Sequence, residues 1–117
     1  MIELSIETAS GQLNFVYIQE EFNYPDAIEK LQSLNCRMAS MAELRTIFEY
    51  VLNNPETGIP QKGTLWSSDA VEEKGRNDQF VMTKSFYGGK FGGDIGMEGI
   101  QPHINLGVKL FLIGIKN

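Results

Sequence analysis

Apolar and polar residues alternate strictly at the start of the chain. Positions 2, 4 and 6 are Ile, Leu and Ile, and the residues between them are Glu and Ser. Such alternation is typical of a strand with one buried face. After the turn-forming residues 9–12, strand-type residues resume over 13–18. The pattern therefore predicts a β-hairpin.

A first helix is predicted over residues 24–35. Asn23 or Tyr24 precedes Pro25, which stands in the first turn, where its missing N–H costs nothing. Asn35 suits the left-handed stop at the end of a helix. The apolar stripe of this helix is expected to consist of Ile28, Leu31 and Leu34.

A second helix is predicted over residues 41–53. Ser40 and Glu43 have the spacing of a capping box, in which a side chain at each position satisfies the backbone of the other. Apolar residues then recur every three or four positions, as an amphipathic helix requires. They are Met41, Leu44, Ile47, Phe48, Val51 and Leu52.

The character of the chain changes after Pro55, since every glycine except Gly11 lies from Gly58 onward. Short strand-like segments occupy residues 64–67, 79–85 and 108–115. The last of them is apolar on both faces, which is typical of a strand in the middle of a sheet that is covered on both sides. The Gly-rich stretch from 87 to 107 has no clear periodicity and is predicted to be a functional loop region.

A single domain spanning residues 1–117 accommodates all of these elements. The length, with 42% hydrophobic and 21% charged residues, is that of an ordinary globular domain with its own core. The predicted fold class is α+β, with two helices packed on a mostly antiparallel sheet and a long Gly-rich loop region.

The net charge of -5 comes without any dense cluster of Lys and Arg, so direct binding to nucleic acid is not expected. The N-terminus has no basic segment followed by a long apolar run, so neither a signal peptide nor a membrane contact is predicted. A single cysteine, Cys36, favours a reducing compartment. The expected location is the cytoplasm, or a virion or exported site reached without a cleaved signal peptide.

Three short motifs follow one another in a recognisable order. Residues 24–28 read Tyr-Pro-Asp-Ala-Ile, residues 35–44 read Asn-Cys-Arg-Met-Ala-Ser-Met-Ala-Glu-Leu, and residues 65–68 read Leu-Trp-Ser-Ser. With the closing apolar segment 108–115, this order resembles C-type-lectin-like domains, in particular a bacterial and phage branch without disulfides or a calcium site. The resemblance covers about residues 13–115. It implies a scaffold whose long loop region forms a variable binding surface.

Catalytic and metal chemistry have little support in the residues. The family's calcium ligands are not carried over, because His103 stands where Gln101-Pro102 should be followed by an acidic ligand. One His and one Cys cannot build a zinc site within the chain, and Cys36 is predicted to be a small core residue rather than a nucleophile. We therefore expect no enzyme activity, no metal and no cofactor.

The expected function is that of a binding module whose Gly-rich loop region, about residues 72–105, contacts a protein or a glycan. Its polar and aromatic residues are not explained by the folding pattern, which makes them candidates for binding. The candidates are Arg76, Asn77, Asp78, Tyr87, Lys90, Phe91, Asp94 and His103. Phe86 and Phe91 could instead fill the core beneath the loop, and Trp66 is predicted to be a core residue.

Two other functions remain open at this stage. A small acidic intracellular inhibitor or immunity-type protein would block an enzyme or effector surface, with electrostatic attraction favouring a basic partner. A structural component of a virion or a secretion apparatus is the other alternative. Either function is compatible with a homo-oligomer.

Overall fold

The computed structural model describes residues 1–70, 80–86 and 97–117. In this part of the chain, seven strands and two α-helices form one α+β fold. The strands are β1 (Ile2–Thr8), β2 (Gly11–Phe22), β3 (Cys36–Met38), β4 (Gly63–Ala70), β5 (Phe80–Phe86), β6 (Met97–Pro102) and β7 (Leu110–Lys116). The helices are α1 (Tyr24–Ser33) and α2 (Met41–Asn53), and a single 3-10 turn covers Pro55–Thr57.

The strands form a mostly antiparallel sheet in the order β1-β2-β7-β4-β5-β6, with β3 paired to β7. The predicted hairpin of β1 and β2 is confirmed, and β4, β5 and β6 form an antiparallel meander. The one parallel contact among the described strands joins β4 to β7, where Leu65 lies opposite Phe111.

Strand β7 lies in the interior of the sheet and is covered on both faces, as its apolar pattern predicted. Ile113 belongs to a buried cluster that includes α2 residues, and Leu112 belongs to a second cluster that includes α1 residues. The helices therefore cover opposite faces of the sheet. A Cβ atom at Gly114 would lie 2.5 Å from Leu31 Cδ2, so the missing side chain there allows α1 to approach β7 closely.

Both helices occur where the sequence predicted them, but the buried face of α1 differs from the prediction. Ala27 and Leu31 are buried against the sheet, whereas Ile28 is 37% exposed. Tyr24 and Leu34 are partly buried on the same side as Ala27 and Leu31. This is the spacing of three and four residues that a helix face requires, and it leaves Ile28 at the edge of the buried face.

The capping box of α2 is present in full. Ser40 Oγ accepts a hydrogen bond of 3.2 Å from the backbone N–H of Glu43, and Glu43 Oε1 accepts one of 2.9 Å from the N–H of Ser40. The buried side of α2 carries Met41, Leu44, Ile47, Phe48 and Val51, as predicted. Leu52, which was assigned to the same stripe, is only partly buried.

Removal of the cap should have a small and specific cost. We expect Ser40→Ala to lower the free energy of unfolding by about 1 kcal/mol, because one N–H in the first turn of α2 loses its acceptor. Urea denaturation measures this change. Ser40→Thr keeps a hydroxyl acceptor and serves as the control, so an equal loss in both variants would contradict the capping explanation.

The predicted loop region is shorter than the sequence indicated. Residues 97–102 were included in that region, but they form β6, which pairs with β5 from Phe80 opposite Pro102 to Ser85 opposite Met97. This part of the prediction was wrong, because glycine and scattered apolar residues hide the period of an edge strand that has a single neighbour. The core assignment of Trp66 is confirmed, since its side chain is fully buried.

Candidate functional site

The described parts of the meander show where the predicted binding segments are attached. The residues Arg76, Asn77, Asp78, Tyr87, Lys90, Phe91 and Asp94 lie outside the described residues, and His103 is the one predicted candidate that the structure describes. Strand pairing brings Ala70, Phe80 and Pro102 to one end of the meander, here called the His103 end. It brings Gly63, Phe86 and Met97 to the other, here called the Glu98 end.

Segment 71–79 is attached at the His103 end and segment 87–96 at the Glu98 end. A strand of six residues separates the two ends by roughly 20 Å at about 3.3 Å per residue. The predicted candidates are therefore attached in two groups, with Arg76, Asn77 and Asp78 on the segment that starts beside His103. Whether either group contacts a partner stays a prediction.

His103 packs against an aromatic pair at the start of α1. The ring centres of His103 and Tyr24 are 5.4 Å apart, and Tyr24 meets Trp66 edge-on with centres 5.1 Å apart. The Tyr24 hydroxyl donates a hydrogen bond of 3.2 Å to the carbonyl oxygen of Ser67. Burial, and secondarily the charge of Asp69, raises the pKa of Tyr24, so the phenol remains a donor. His103 is thereby held by packing at the edge of the core.

The turn that follows His103 is fixed by hydrogen bonds. The backbone N–H of Asn105 donates to Pro102 O at 3.4 Å, and the N–H of Val108 donates to Asn105 O at 3.1 Å. The Asn105 side chain accepts from the N–H of Gly107 at 2.9 Å, a common stabilising contact in turns.

Asn23 joins this turn to α1. Its Oδ1 accepts from the N–H of Asp26 at 3.0 Å, which caps the helix, and its Nδ2 donates to Leu106 O at 3.4 Å. Tyr24 was the other cap candidate, and the structure assigns the role to Asn23. One side chain therefore sets the start of the helix and the position of the turn.

This ordered turn carries two large apolar side chains into solvent. Ile104 is 58% exposed and Leu106 is 60% exposed, and neither was singled out from the sequence. We call Ile104 and Leu106 the apolar patch. The sequence signal that could have identified it is an Ile-Asn-Leu-Gly turn whose apolar residues have no periodic neighbours.

A different arrangement, of charged side chains, lies near the Glu98 end. Glu98 on β6 accepts two hydrogen bonds of 2.7 Å from Arg45 of α2 and one of 3.2 Å from Lys84 Nζ. The Lys84 side chain is only 3% exposed, and its Nζ lies 5.6 Å from the centre of the Phe48 ring. The hydrogen bonds from Arg45, followed by the hydrogen bond and charge of Lys84, lower the pKa of Glu98 to about 2 against an opposing effect of burial.

This triad holds β6 to α2, beside the start of segment 87–96. None of these three side chains was assigned a structural role from the sequence pattern. Met82 and Lys84 are two positions apart on β5 and share the face that points to α2. This spacing is the sequence signal that could have identified Lys84 as a residue on the buried face.

The Cys36 thiol is buried on β3, as predicted for a core residue, and donates a long contact of 3.5 Å to Leu34 O. Burial raises the pKa of this thiol, which disfavours the reactive thiolate. In the described part of the chain, no three or more His, Cys, Asp or Glu side chains are grouped as metal ligands would be.

Comparison with protein-family models, curated proteins and solved structures finds no match to this chain. Neither described helix has the length and apolar character needed to cross a membrane.

Proposed function

We propose that the chain is a non-enzymatic binding module of C-type-lectin-like architecture that contacts a protein partner. The architecture is supported by the order of elements that the sequence motifs implied. A hairpin is followed by two helices, a meander and an apolar closing strand that returns to pair with β2. In such a scaffold the segments attached to the meander form the binding surface.

The observation that carries the proposal is the apolar patch on a turn of fixed shape. Ile104 and Leu106 are exposed although the backbone that carries them is tied to α1 by Asn23. Exposed apolar side chains on an ordered support are typical of interaction sites, because their burial by a partner is favourable at about 25 cal/mol per Å² and costs little ordering entropy. Aliphatic side chains favour a protein over a glycan, whose surface is dominated by hydroxyl groups.

Segment 71–79, with Arg76, Asn77 and Asp78, starts at the same end of the meander. It would extend the patch with polar contacts around an apolar centre, the usual composition of a protein interface. Tyr87 and Lys90, on the Gly-rich segment 87–96 that is attached at the Glu98 end, remain the candidates for a second binding surface.

The test is a pull-down from lysate of the producing cells, run beside a glycan array. We expect Ile104→Ser with Leu106→Ser to weaken capture of a specific protein by about 1–3 kcal/mol, or roughly 5- to 150-fold. The melting temperature should stay nearly unchanged, because both side chains are exposed. Glu49→Ser with Glu56→Ser, on and just after α2, is the matched control and should leave capture intact.

A second pair of variants separates the two ends of the meander. If Tyr87→Ala and Lys90→Glu abolish capture and the turn variants do not, the chain is still a binding module, but its site lies at the Glu98 end. Capture that survives both pairs, or binding only to glycans, would contradict the proposal of a protein-binding module.

A further inference from the structure

The surroundings of the apolar patch carry acidic side chains from two different elements. Pairing between β2 and β7 is regular up to Ile18 opposite Leu112 and resumes only at Phe22 opposite Leu110. The irregularity leaves Glu20 and Glu21 exposed at the end of β2. Bulges of this kind redirect side chains away from the sheet. Phe22, which follows Glu21, pairs with Leu110 at the start of β7, so the end of β2 lies beside the segment that follows the turn.

Helix α1, which Asn23 joins to the turn, carries two more carboxylates. Asp26 and Glu29 are exposed and line a groove of about 370 Å³ together with Phe22. Lys30 lines the same groove, and Lys109 is exposed at the end of the turn. Residues 20–30 and Lys109, which flank the turn through the Asn23–Leu106 contact and the pairing of Phe22 with Leu110, therefore carry four acidic and two basic side chains, a negative balance.

These carboxylates are available to a partner. Among the described residues, Glu20, Glu21, Asp26 and Glu29 have no ion-pair partner, whereas Glu43 and Glu98 are each held by an arginine. Carboxylates that are already paired contribute to the fold, and exposed unpaired ones shape the electric field at the surface.

We infer that the apolar patch binds a basic protein surface, in which Lys or Arg side chains surround an apolar centre. The inference rests on the proposed function and adds the chemistry of the partner. Positive charge on the partner would be attracted by the four carboxylates and would speed association, while the patch is buried at the centre. A second copy of the chain fits poorly, because a symmetric contact through this face places carboxylates against carboxylates. Phosphate surfaces are repelled for the same reason.

The experiment uses the full chain as bait for a display library of random 16-residue peptides. We expect enrichment of peptides in which Lys or Arg flanks aliphatic or aromatic residues. The charge-reversal variant Glu20→Lys with Glu21→Lys keeps the apolar patch, and it should weaken binding of the selected peptides by about tenfold or more at low salt. The difference should shrink at high salt, because exposed charges are screened.

The control is Glu49→Lys with Glu56→Lys, which changes the net charge by the same amount at a distance from the patch. It should leave binding nearly unchanged, and all variants should keep the wild-type melting temperature. Equal weakening by the control would show attraction by net charge alone and would overturn the inference. So would selected peptides without Lys or Arg enrichment, or full binding by the Glu20 and Glu21 variant.

The two proposals fail in different ways in this experiment. If Leu106→Ser abolishes peptide binding while charge reversal at Glu20 and Glu21 has no effect, the apolar binding surface stands and the basic partner is excluded. If Leu106→Ser also has no effect, the site at the His103 end is excluded together with the inference built on it.

Discussion

Replacing Glu98 with alanine is expected to lower the free energy of unfolding by about 2–4 kcal/mol. The variant leaves Lys84, with a side chain that is 3% exposed, as a buried cation without its carboxylate. An unpaired buried charge is strongly unfavourable, and the partial exposure of Glu98, at 30%, places the cost toward the lower part of the usual range. Urea denaturation at neutral pH measures the loss.

A double variant separates this explanation from a general loss of packing. Lys84→Met with Glu98→Gln removes both charges while it keeps similar side-chain volumes, so its stability should return to within about 1 kcal/mol of wild type. Arg45→Ala removes the exposed partner of Glu98 and should cost less than Glu98→Ala. A double variant as unstable as Glu98→Ala would show that the buried charge of Lys84 is not the cause.

The ion pair between Glu98 and Lys84 also predicts that the stability of the fold depends on pH. The pKa of Glu98 is lowered in the folded state to about 2 from an ordinary value of 4.5, so its contribution is present above the ordinary pKa. The contribution is lost as the pH falls from about 5 toward 2, because the unfolded chain then binds the proton more readily. The pKa of Glu43 is also lowered, mainly by the hydrogen bond from Arg37, and affects both proteins equally. Wild type should therefore lose stability relative to the double variant as the pH falls through this range.

The parts of the fold that the sequence predicted well are those in which a local pattern coincides with the final packing. In α2, the capping residues Ser40 and Glu43 and the buried side chains lie within one segment. In β7, apolar residues on both faces required cover on both sides, which α1 and α2 supply. Local preference and tertiary packing agree in these elements, so neither overrides the other.

The parts that could not be predicted depend on contacts between distant segments. Arg45 and Glu98 are 53 residues apart, and Lys84 meets Glu98 only because of the register between β5 and β6. A sequence pattern within one segment contains no information on that register. The exposure of Ile28 likewise depends on which side of α1 faces β7, and a difference of one position in the helical stripe moves it from the core to the surface.

Trp66 links the core to the candidate site, and Trp66→Ala is expected to destabilise the fold by about 3–5 kcal/mol. The side chain is fully buried, and its Nε1 donates a hydrogen bond of 2.8 Å to the carbonyl oxygen of Phe22. The substitution leaves a large cavity in the cluster around α1 and a carbonyl group without its donor. Tyr24 also loses its edge-on contact, so His103 and the turn lose support.

Trp66→Phe separates the cost of the cavity from the cost of the lost hydrogen bond, since phenylalanine fills most of the cavity and still lacks the N–H donor. Its expected cost is about 1–3 kcal/mol, from the unsatisfied carbonyl and the smaller ring. Urea denaturation gives both values, and the binding assay on folded Trp66→Phe tests the link to the site. If Trp66 holds the turn through Tyr24, this variant should lose more affinity than Ser40→Ala, a change of comparable stability at the start of α2. Equal affinities in the two variants would show that the turn keeps its shape without the Trp66 indole and would contradict this link.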